Sequence, residues 1–528
     1  MAIRLAVLGR ACQPSRRVAV RDFSATPSRR CLSQDANRSI AQLLQWRPAG
    51  EAAGVVVNGY VRSVRSMKGH RFVSLGDGSS LPPLQAVVPV DQGEGLTIGA
   101  AVRLTGSWLP SPGAGQTHEL HTSSVEIVGP SDAKTFPVQK KYHTSEFLRT
   151  MPHLRPRTPI NATLLRMRSD AIASLTHFFA SQAFTQTHPP IITSSDCEGA
   201  GEVFTLEPAT KGSSAPNQSI PEPPFFRSKK YLTVSTQLHL EALAQSVGHV
   251  WTLSPVFRAE RSDSSRHLSE FYMLEAEMSF VDDLGSIMDF AELMLRSLST
   301  DLFGSSTVQE LLSRPSQTGS DLAPVDVVRR RWEGLMRPTW PRITYTEAVA
   351  LLQENADIFS QKPIWGVGLG AEHEKYLAET VGGGQTPVFV TDYPRDIKAF
   401  YMRAAPLDLA SAESGSDTSS PGSTVECFDL LVPELCEIAG GSMREHRLMP
   451  LVDAMKRQGF AAPALDATGN AGPRSDGDLD WYVDLRRWGC PPHGGFGVGF
   501  DRLLAYLSGV STIRDIAAFP RWFGRCDC

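Results

Sequence analysis

Residues 253 to 280, LSPVFRAERSDSSRHLSEFYMLEAEMSF, decide the fold that we expect for this chain. Apolar and polar side chains alternate at both ends of the stretch, while residues 261 to 269 are polar and show no apolar period. Alternation with a period of two is typical of a strand that buries one face. The stretch therefore predicts a strand, a loop and a second strand. The apolar face of the second strand consists of Leu274, Ala276, Met278 and Phe280.

The other face of the predicted hairpin is charged and aromatic. It consists of Val256, Arg258, Glu260, Phe271, Met273, Glu275 and Glu277, and the loop adds Arg266 and His267. A guanidinium offers a planar set of donors that suits phosphate, and a phenyl ring offers a flat face to a base. These residues alone leave two interpretations equally open: a nucleotide site, or a charged sheet surface with ion pairs.

Three segments in order resemble a known family. FRAE, RHLSEF and EAE in the hairpin resemble motif 2 of the class II aminoacyl-tRNA synthetases that use aspartate, asparagine or lysine. Within this subgroup, the residues are most similar to those of the asparaginyl enzymes. GFGVGFDRLLAY, residues 495 to 506, is similar to motif 3, and a predicted helix at 161 to 182, with the strand that ends at Pro189-Pro190, resembles motif 1. The resemblance covers about residues 50 to 528 apart from two insertions. It implies an α+β chain: an N-terminal OB-fold β-barrel, then a class II catalytic domain with an antiparallel sheet flanked by helices.

The 528 residues suffice for several domains. Five short strands separated by Gly, Pro and Asp predict a small barrel, and a basic linker with several prolines follows. A helix with Asn161 as its N-cap opens the second domain. Residues 311–340 are too weakly patterned to assign. The expected division is a transit peptide (1–35), an OB-fold anticodon-binding domain (50–130), a hinge (131–160) and a catalytic domain (161–528) with insertions at about 207–224 and 408–424.

The composition is that of an ordinary globular protein, with 41% hydrophobic and 20% charged residues. The net charge of −4 means that any nucleic-acid binding must come from local basic patches. No apolar run reaches the roughly 18 residues that a membrane span needs. The eight cysteines include no CxxC pair, so free thiols are expected rather than a zinc site.

The first 35 residues are rich in Arg, Ser and Ala, and Asp22 is the only acid before Asp35. This composition favours a mitochondrial transit peptide, and hence a protein of the mitochondrial matrix, over a secretory signal with its longer apolar core. A disordered tail is the alternative.

The resemblance of motifs 2 and 3 implies which residues bind the nucleotide. Arg258 would bind the α-phosphate of ATP, Phe271 would stack on adenine and Arg502 would bind the γ-phosphate, which makes Arg258 and Arg502 the expected catalytic residues. The implied ATP-binding set is Arg258, Glu260, Arg266, His267, Phe271, Gly497, Gly499 and Arg502.

The segment YLTVSTQLHLEAL, residues 231 to 243, is similar to a loop that binds the amino acid. Aspartyl relatives carry a lysine there that meets the substrate carboxylate, and the register places Leu240 at that position with Glu241 next. An acid at this point would repel aspartate and could accept a hydrogen bond from the amide of asparagine. A mere helix-start role for Glu241 is the alternative. The implied amino-acid-binding set is Glu202, with Glu198 as an alternative in the same loop, Gln237, Glu241 and Arg444.

The segment from 425 to 447, VECFDLLVPELCEIAGGSMREHR, predicts two strands and a Gly-Gly turn before a helix. Asp429 and Glu437 are carboxylates on the neighbouring strands, and such hard oxygen ligands suit Mg²⁺ held between carboxylates and phosphates. The resemblance implies that these two residues hold the metal. Cys436 departs from the family pattern, which usually has Gly there.

The predicted barrel has a basic edge beside an aromatic residue. A basic edge next to an exposed ring is how OB-folds hold splayed bases, although a merely solvated edge has the same composition. GYVRSVRSMKGHRFVSLGDGS, residues 59 to 79, resembles the anticodon-binding domain of the subgroup. The resemblance implies that Phe72 stacks on one anticodon base and that Gln85 hydrogen-bonds to one. The basic residues of this edge are Arg62, Arg65, Lys68 and Arg71.

The expected function is that of an asparagine–tRNA ligase in mitochondrial translation. Its expected cofactors are ATP and Mg²⁺, and its expected partners are tRNA(Asn), asparagine and a second copy paired through the motif 1 region. Three alternatives stay open: an aspartyl-tRNA synthetase, including one that charges both tRNAs; an ammonia-dependent asparagine synthetase; and a non-catalytic RNA-binding paralogue. Leu240 and Glu241 argue against the first, the barrel against the second, and Arg258 with Arg502 against the third.

Overall fold

The computed structural model describes residues 38–113, 115–194, 203–207, 225–226, 228–315, 321–406, 422–461 and 479–528. The expected transit peptide, Glu202 and nearly all of the two expected insertions lie outside these residues. Among the helices in the described ranges, none combines the length and the apolar character that crossing a membrane requires.

The first folded unit is a closed barrel of five strands. Its strands are β1 (Ala52–Ser66), β2 (His70–Gly76), β3 (Leu84–Pro89), β4 (Ala101–Pro110) and β5 (His118–Gly129). They close in the order β1-β2-β3-β5-β4, and buried and half-buried positions alternate along β3. Helix α1 (Ile40–Gln45) adds Ile40 and Leu43 to the barrel core. The small barrel that the five short strands predicted is confirmed, and its closure is consistent with an OB-fold.

The basic edge of the barrel differs from the expected one. Arg62 is half-buried and donates from Nη1 to the carbonyl of Leu81 at 3.0 Å, and the Arg71 guanidinium donates to the carbonyl of Gly93. Arg65 and Lys68 are exposed. Two of the four expected basic groups therefore hold backbone in place, and two face solvent.

The second unit is built on an eight-stranded sheet. Its strands are β6 (Thr185–Gln186), β10 (His249–Phe257), β11 (Glu270–Ser279), β12 (Arg342–Thr344), β13 (Val388–Thr391), β14 (Cys427–Val432), β15 (Cys436–Met443) and β16 (His493–Gly499); β7 (Ile192–Thr193), β8 (Thr205–Leu206) and β9 (Lys230–Leu232) form a separate small sheet. The strand order is β12-β13-β14-β15-β16-β11-β10-β6. Neighbours pair antiparallel, except that β12 with β13 and β6 with β10 are parallel.

Helices pack against both faces of this sheet. The helices of the second unit are α2 (Ser145–Arg149), α3 (Pro159–Ser181), α4 (Gln237–Val247), α5 (Leu284–Phe303), α6 (Ser306–Leu312), α7 (Val325–Leu335), α8 (Tyr345–Gln353), α9 (Ala371–Thr380), α10 (Leu448–Arg457), α11 (Asp480–Asp484) and α12 (Phe500–Ser508). Apolar residues of α3, α5, α6, α7 and α12 form one core with those of β11, β14, β15 and β16. An example is the stacked pair Phe179 and Trp251, whose ring centroids lie 4.5 Å apart.

The hairpin of β10 and β11 is confirmed, with two corrections. Arg258 and Glu260 were expected on the first strand, but β10 ends at Phe257 and both lie in the loop. Phe280 was expected in the core, but β11 ends at Ser279 and Phe280 is 80% exposed at a φ of +60°. A positive φ takes the backbone out of the strand conformation, so the side chain no longer follows the alternation.

Helix α3 begins earlier than expected. Asn161 was predicted as its N-cap, but the helix starts at Pro159 after Thr158. Proline suits the first helical position because its φ is already helical and its missing N–H has no partner to lose there. The Nδ2 group of Asn161 instead donates to Thr158 Oγ1 at 2.7 Å.

Gly440 and Gly441 lie inside β15 and not in a turn, so the predicted Gly-Gly turn is wrong. A Cβ on Gly441 would lie 2.7 Å from Phe428 Cζ and 2.8 Å from the carbonyl oxygen of Gly495. The glycine is required by the close approach of the neighbouring strands. Cys436, which stands where the family usually has Gly, has a φ of +65°, the conformation that glycine adopts most easily.

The stretch from 311 to 340 contains the end of α6 and all of α7. Trp332 in α7 is fully buried and donates from Nε1 to the carbonyl of Leu507 at 2.9 Å, and Arg331 donates to the carbonyl of Tyr506 at 2.9 Å. Both acceptors lie on α12, so this stretch holds the helix of motif 3 against the sheet.

Candidate active site

Residues far apart in the sequence meet in one row across the sheet. Glu275 on β11 pairs with Gly497 on β16, Gly497 pairs with Gly440 on β15, and Gly440 pairs with Asp429 on β14. The next row on the same face contains Glu277, Gly495, Ser442 and Cys427. The first row therefore has a carboxylate at each end and two glycines between them.

The glycines keep the middle of this face open. A Cβ on Gly440 would lie 3.3 Å from Asp429 Oδ1 and 3.6 Å from Glu437 Oε1, and one on Gly495 would lie 2.1 Å from Glu277 Oε2. No larger side chain fits these positions without moving a carboxylate. The result is a flat floor on which a ligand can approach the backbone.

A β-bulge directs Glu437 toward Asp429. Leu430 pairs with Ala439, but Leu431 pairs with Glu437, so Ile438 is an extra residue on β15. Ile438 and Ala439 both point into the core. Because two successive residues point the same way, Glu437 returns to the face of Gly440 and Asp429.

Glu275 fixes the start of α4. Its carboxylate accepts hydrogen bonds from Ser235 Oγ at 2.5 Å, from the backbone N–H of Thr236 at 3.0 Å and from the Thr236 hydroxyl. Glu275 and Thr236 are both buried. The helix that carries Gln237 and Glu241 is thereby anchored to the sheet.

Glu241 is fully buried and accepts four hydrogen-bonding groups. Arg486 Nη2 lies 2.6 Å from Glu241 Oε2, the Tyr482 hydroxyl 2.8 Å, and His493 Nε2 3.1 Å. Gln237 Nε2 donates to Glu241 Oε1 at 3.0 Å. Burial alone would raise the pKa of Glu241, but Arg486 and His493 hold that pKa far below its usual range.

Arg444 lies next to this carboxylate and is paired with a second one. Its Nη2 is 2.9 Å from Glu277 Oε2, its Nη1 donates to Ser442 Oγ at 2.5 Å, and its Nε is 4.0 Å from Glu241 Oε1. Burial raises the pKa of Glu277, and the charge of Arg444 opposes this rise. Although burial lowers the pKa of His493, its contacts with Cys490 and Glu241 raise that pKa to about 9.

The carboxylate oxygens of Glu241 and Glu277 and a ring nitrogen of His493 lie within 4.8 Å of one another, a spacing that a metal ion could use. Two guanidiniums already pair with these carboxylates, at 2.6 Å and 2.9 Å. Buried charges require such partners. The cluster is therefore an ion-pair network and not a metal centre.

Leu240 is turned away from this network. It is buried in a small apolar cluster with Ala244 and Val250. The position at which the aspartyl relatives carry a lysine thus holds an aliphatic side chain in an apolar environment.

The motif 2 residues meet beside the floor and stay open to solvent. The guanidinium carbon of Arg258 lies 5.9 Å from the ring centroid of Phe271, and its Nη1 lies 3.9 Å from Glu260 Oε1. His267 Nε2 is 3.1 Å from Glu260 Oε2. Burial, together with the positive charges of Arg502, Arg266 and Arg258, lowers the pKa of His267, although Glu260 opposes the shift. Three guanidiniums therefore act on one place, as expected of an anion site.

Arg502 lies on the first turn of α12. Its Nη1 donates to the carbonyl of Glu437 and lies 3.9 Å from Glu437 Oε2. The preceding residue, Asp501, accepts from the backbone N–H of Tyr272 at 2.7 Å and from Arg168 Nη1 at 2.6 Å. This carboxylate connects the helix of motif 3 to β11 and α3 and so fixes Arg502 beside the motif 2 loop.

Three carboxylates and a lysine lie beside this anion site. Lys398 Nζ lies 2.9 Å and 2.8 Å from the two oxygens of Asp429. Burial in the cleft, followed by the charge of Asp429, raises the pKa of Glu437. Burial and the charges of Glu437 and Asp429 raise the pKa of Glu374 to about 7. A raised pKa of this origin marks a place where negative charge is in excess, and a hard cation fits such a donor set.

The barrel places Phe72 and Gln85 on the neighbouring strands β2 and β3, both half-buried. Gln85 Nε2 donates to Glu119 Oε2 at 3.2 Å, and Glu119 also contacts Ser111 Oγ at 3.0 Å and His121 Nε2 at 3.0 Å. Glu119 is buried, and sequence reasoning did not select it. These groups form a polar site beside the Phe72 strand.

Among the described residues, the predicted site residues of the second unit lie around one face of the eight-stranded sheet, whereas Phe72 and Gln85 lie on the barrel. Sequence reasoning missed Tyr482, Arg486, Glu374 and Glu119. Arg486 lies just beyond a five-residue helix and Glu374 lies in an ordinary amphipathic helix. The only local signal was a pair of arginines among aromatic and aliphatic residues in the segment WYVDLRRWG, which does not by itself show that either is buried.

A comparison with known proteins adds the family. The model of the family described as "tRNA synthetases class II (D, K and N)" matches residues 144–523. The mitochondrial asparagine–tRNA ligase of Schizosaccharomyces pombe is 39% identical over 483 residues, which cover 91% of this chain and 96% of the relative. Human asparaginyl-tRNA synthetase is 40% identical over 478 residues, which cover 89% of this chain and 91% of the relative.

A crystal structure of asparaginyl-tRNA synthetase from Pyrococcus horikoshii, complexed with asparaginyl-adenylate, has a TM-score of 0.72 and 27% identity, and the match covers 90% of this chain and 96% of that one. The resemblance read from the three motifs is confirmed. The chain belongs to the class II tRNA synthetases of the D, K and N group and, within it, to the asparagine–tRNA ligases.

Proposed function

We propose that this chain attaches asparagine to tRNA(Asn) for mitochondrial protein synthesis, with ATP as the source of the activating group. The observation that carries the proposal is the buried network of Glu241, Arg444 and Arg486 beside a glycine floor. A network with paired charges of both signs suits a neutral, polar side chain such as the amide of asparagine. Two relatives are named as mitochondrial asparagine–tRNA ligases, which supports the same activity and the same mitochondrial location for this chain.

The reaction has two steps. A carboxylate oxygen of asparagine bonds to the α-phosphorus of ATP, the bond from that phosphorus to the β-phosphate oxygen breaks, and pyrophosphate leaves. A ribose hydroxyl oxygen at the 3′ end of the tRNA then bonds to the activated carbonyl carbon, the hydroxyl proton passes to water, and AMP leaves with the bonding electrons. In-line attack at phosphorus depends on positioning and charge neutralisation more than on a protein nucleophile.

For the first step, Arg258 holds the α-phosphate and Arg502 the γ-phosphate, while Phe271 stacks on adenine. The three guanidiniums that lower the pKa of His267 supply positive charge there. The side chains of Arg258 and Arg502 are partly exposed, so a ligand can reach them. Glu260, Arg266 and His267 complete the phosphate side, and Gly497 and Gly499 let the nucleotide lie close to β16.

For the amino acid, Glu241 accepts from the amide nitrogen of asparagine and Arg444 donates to the amide oxygen. Aspartate would bring a second carboxylate against Glu241, whose own charge is maintained by Arg486. Leu240, in its apolar cluster, supplies no compensating positive charge. These features disfavour an aspartyl enzyme. Gln237 donates to the carboxylate of Glu241. Glu202, which lies outside the described residues, is a further proposed amino-acid ligand.

Asp429 and Glu437 are the proposed Mg²⁺ ligands, with Glu374 beside them. The missing Cβ of Gly440 leaves the space between the two carboxylates open, and their mutual repulsion favours a cation there. When bound, Mg²⁺ neutralises phosphate charge. Lys398 orients Asp429 through both of its oxygens.

The barrel is the proposed OB-fold anticodon-binding domain, residues 50–130, joined by the hinge 131–160 to the catalytic domain 161–528. Phe72 stacks on an anticodon base and Gln85 hydrogen-bonds to one, with the Gln85 amide held by Glu119. Arg65 and Lys68 face solvent and are available to the RNA backbone.

The chain is proposed to act as a homodimer in the mitochondrial matrix. Leu165 and Ile172 on α3 are 40% and 37% exposed, which suits an apolar contact with a second copy.

Residues 1–35 would direct import into mitochondria. Isolated mitochondria should take up the chain and remove this segment. A chain that stays outside the mitochondria would contradict the proposed import.

The first test is asparagine-dependent ATP–pyrophosphate exchange. We expect exchange with asparagine to exceed exchange with aspartate by at least about 100-fold in kcat/KM, because a misplaced charge leaves buried groups unpaired. Arg258→Ala should lower the asparagine rate by about 100-fold or more, since it removes a charge that stabilises the transition state. Arg65→Ala, on the barrel surface, is the control. Full exchange by Arg258→Ala would show that the site is wrongly assigned.

The second test concerns the metal. Glu437→Gln should raise the Mg²⁺ concentration for half-maximal exchange by about ten-fold or more, because one charged ligand is lost. Glu379→Gln removes an exposed carboxylate that lies 3.8 Å from Lys375 and is the matched control. An unchanged Mg²⁺ dependence in Glu437→Gln would exclude this carboxylate as a ligand.

The third test separates the two halves of the chain. Phe72→Ala should leave asparagine-dependent exchange unchanged and lower kcat/KM for tRNA charging by about ten-fold, the value of one lost stacking contact. Val128→Ala, at an exposed position of the same barrel, should change neither. Equal charging by both variants would speak against base stacking at Phe72.

The fourth test is the mass in solution. Sedimentation should give a species of about twice the 57.6 kDa of the whole chain, less any segment removed on import. Ile172→Arg should shift the equilibrium toward the monomer. A monomeric wild-type chain at micromolar concentration would refute the dimer.

A further inference from the structure

Tyr482 and Arg486 lie behind the asparagine pocket and have no part in the family motifs described above. Both side chains are buried, and both contact Glu241. Arg486 also donates from Nε to the carbonyl of Glu445 at 3.0 Å, which fixes its guanidinium relative to the end of β15.

The hydrogen bonds among the three residues have a defined direction. Arg486 has donors only, and its Nη2 lies 2.8 Å from the Tyr482 hydroxyl. The hydroxyl oxygen therefore accepts from Arg486 and gives its own hydrogen to Glu241. The guanidinium carbon lies 4.1 Å from the Tyr482 ring centroid, so the two side chains also pack face to face.

The two oxygens of Glu241 have different surroundings. Oε2 receives Arg486 and His493 at 2.6 and 3.1 Å, and the Tyr482 hydroxyl lies 2.8 Å from Oε2 and 3.0 Å from Oε1. Oε1 also receives Gln237 at 3.0 Å and lies 4.0 Å from Arg444 Nε, the group proposed to meet the amide oxygen of asparagine. Oε1 is thus the oxygen nearer to the proposed substrate side, Oε2 has the contacts with Arg486 and His493, and Tyr482 holds both.

We propose that Tyr482 and Arg486 are positioning residues that keep Glu241 ionised and aim its Oε1 at the substrate amide, and that they thereby set the preference for asparagine over aspartate. The inference rests on the proposed function and names residues that act through Glu241 without touching the substrate.

Charge explains why this support is required. The groups that face Glu241 are Arg486, His493, Arg444, Tyr482 and Glu277. Arg444 is already paired with Glu277, so Arg486 is the main positive charge left for Glu241. Without it, burial and the like charge of Glu277 favour the protonated acid. A protonated Glu241 can donate to a carboxylate and would tolerate aspartate.

The test compares Tyr482→Phe and Arg486→Lys with the wild type in ATP–pyrophosphate exchange, with asparagine and with aspartate, from pH 6 to pH 8. Tyr482→Phe should raise KM for asparagine by about ten-fold, the effect of one hydrogen bond to a charged group, with little change in kcat. The ratio of kcat/KM for asparagine to that for aspartate should fall by about ten-fold or more.

The pH dependence of the asparagine and aspartate reactions distinguishes a positioning role from a purely structural role more clearly than the ratio at one pH. In the wild type the pKa of Glu241 lies far below pH 6, so the ratio should not change through Glu241 over this range. Tyr482→Phe removes one donor to Glu241, and Arg486→Lys keeps a positive charge but cannot make all three hydrogen bonds of the guanidinium, so that pKa rises in both variants. The aspartate reaction should therefore gain relative to the asparagine reaction toward the low end of the pH range. A purely structural role predicts loss of both activities in parallel.

Tyr506→Phe is the matched control, because it also removes one hydroxyl from a fully buried tyrosine, and no partner for that hydroxyl is found among the described residues. It should leave the asparagine-to-aspartate ratio unchanged. Thermal unfolding of each variant shows which of them are folded. Since Tyr482→Phe removes a single oxygen, it tests the proposal even if Arg486→Lys does not fold.

The outcomes are distinct. If the wild type does not activate asparagine, the proposed function fails. If the wild type prefers asparagine and folded Tyr482→Phe keeps the same ratio at every pH, the function stands and the positioning role is overturned.

Discussion

The active face of this protein depends on the register of four antiparallel strands. Strands β14, β15, β16 and β11 come from positions between 270 and 499 in the chain, yet their pairing sets Asp429, Gly440, Gly497 and Glu275 side by side. The acids define the two ends of the row, and the glycines leave the space between them. Two helices are fixed to the same strands. Helix α4 is held by Glu275, and α12 is held by Asp501, which accepts a hydrogen bond from Tyr272 of β11.

The two sides of the floor handle charge in different ways. On the proposed amino-acid side, the described charges are buried and closely paired, which fixes their geometry and leaves little net field. On the proposed nucleotide side, the arginines of motifs 2 and 3 are partly exposed, and a guanidinium nitrogen of each lies 3.9 Å from a carboxylate oxygen. A polyanion can reach partly exposed guanidiniums but not buried ones. Under the proposed function, this arrangement would separate selection of the amino acid from binding of the phosphates.

Patterns that lie within one element could be predicted from the sequence. The five barrel strands follow from short strand-like segments separated by Gly, Pro and Asp, and the motif 2 hairpin follows from local alternation. Some failures originate in contacts between distant segments, since Gly440 and Gly441 look like a turn until β16 is placed beside them. Others are local, since Phe280 leaves its strand where the backbone adopts a positive φ.

The same limit applied to the site. Glu241 was found because its position next to Leu240 resembles a known loop, but Tyr482 and Arg486 reach it from some 240 residues away. Nothing in the local pattern of an arginine states that it will be buried. Glu374 and Glu119 were missed for the same reason, since each becomes significant only through the residues that the fold places next to it.

The bulge at Ile438 has a consequence for how the length of this chain can change. Successive side chains of a regular strand point to opposite faces, and one extra residue shifts this alternation for every residue beyond it. Glu437 is three positions from Gly440, so in a regular strand of the same length the two would point to opposite faces; the bulge leaves both on the same face. If β15 straightened without losing a residue, the carboxylate would turn into the core, whereas loss of the one bulge residue would straighten β15 and keep the carboxylate on its present face. The direction of Glu437 therefore depends on the residue count and the bulge together, and neither can change alone.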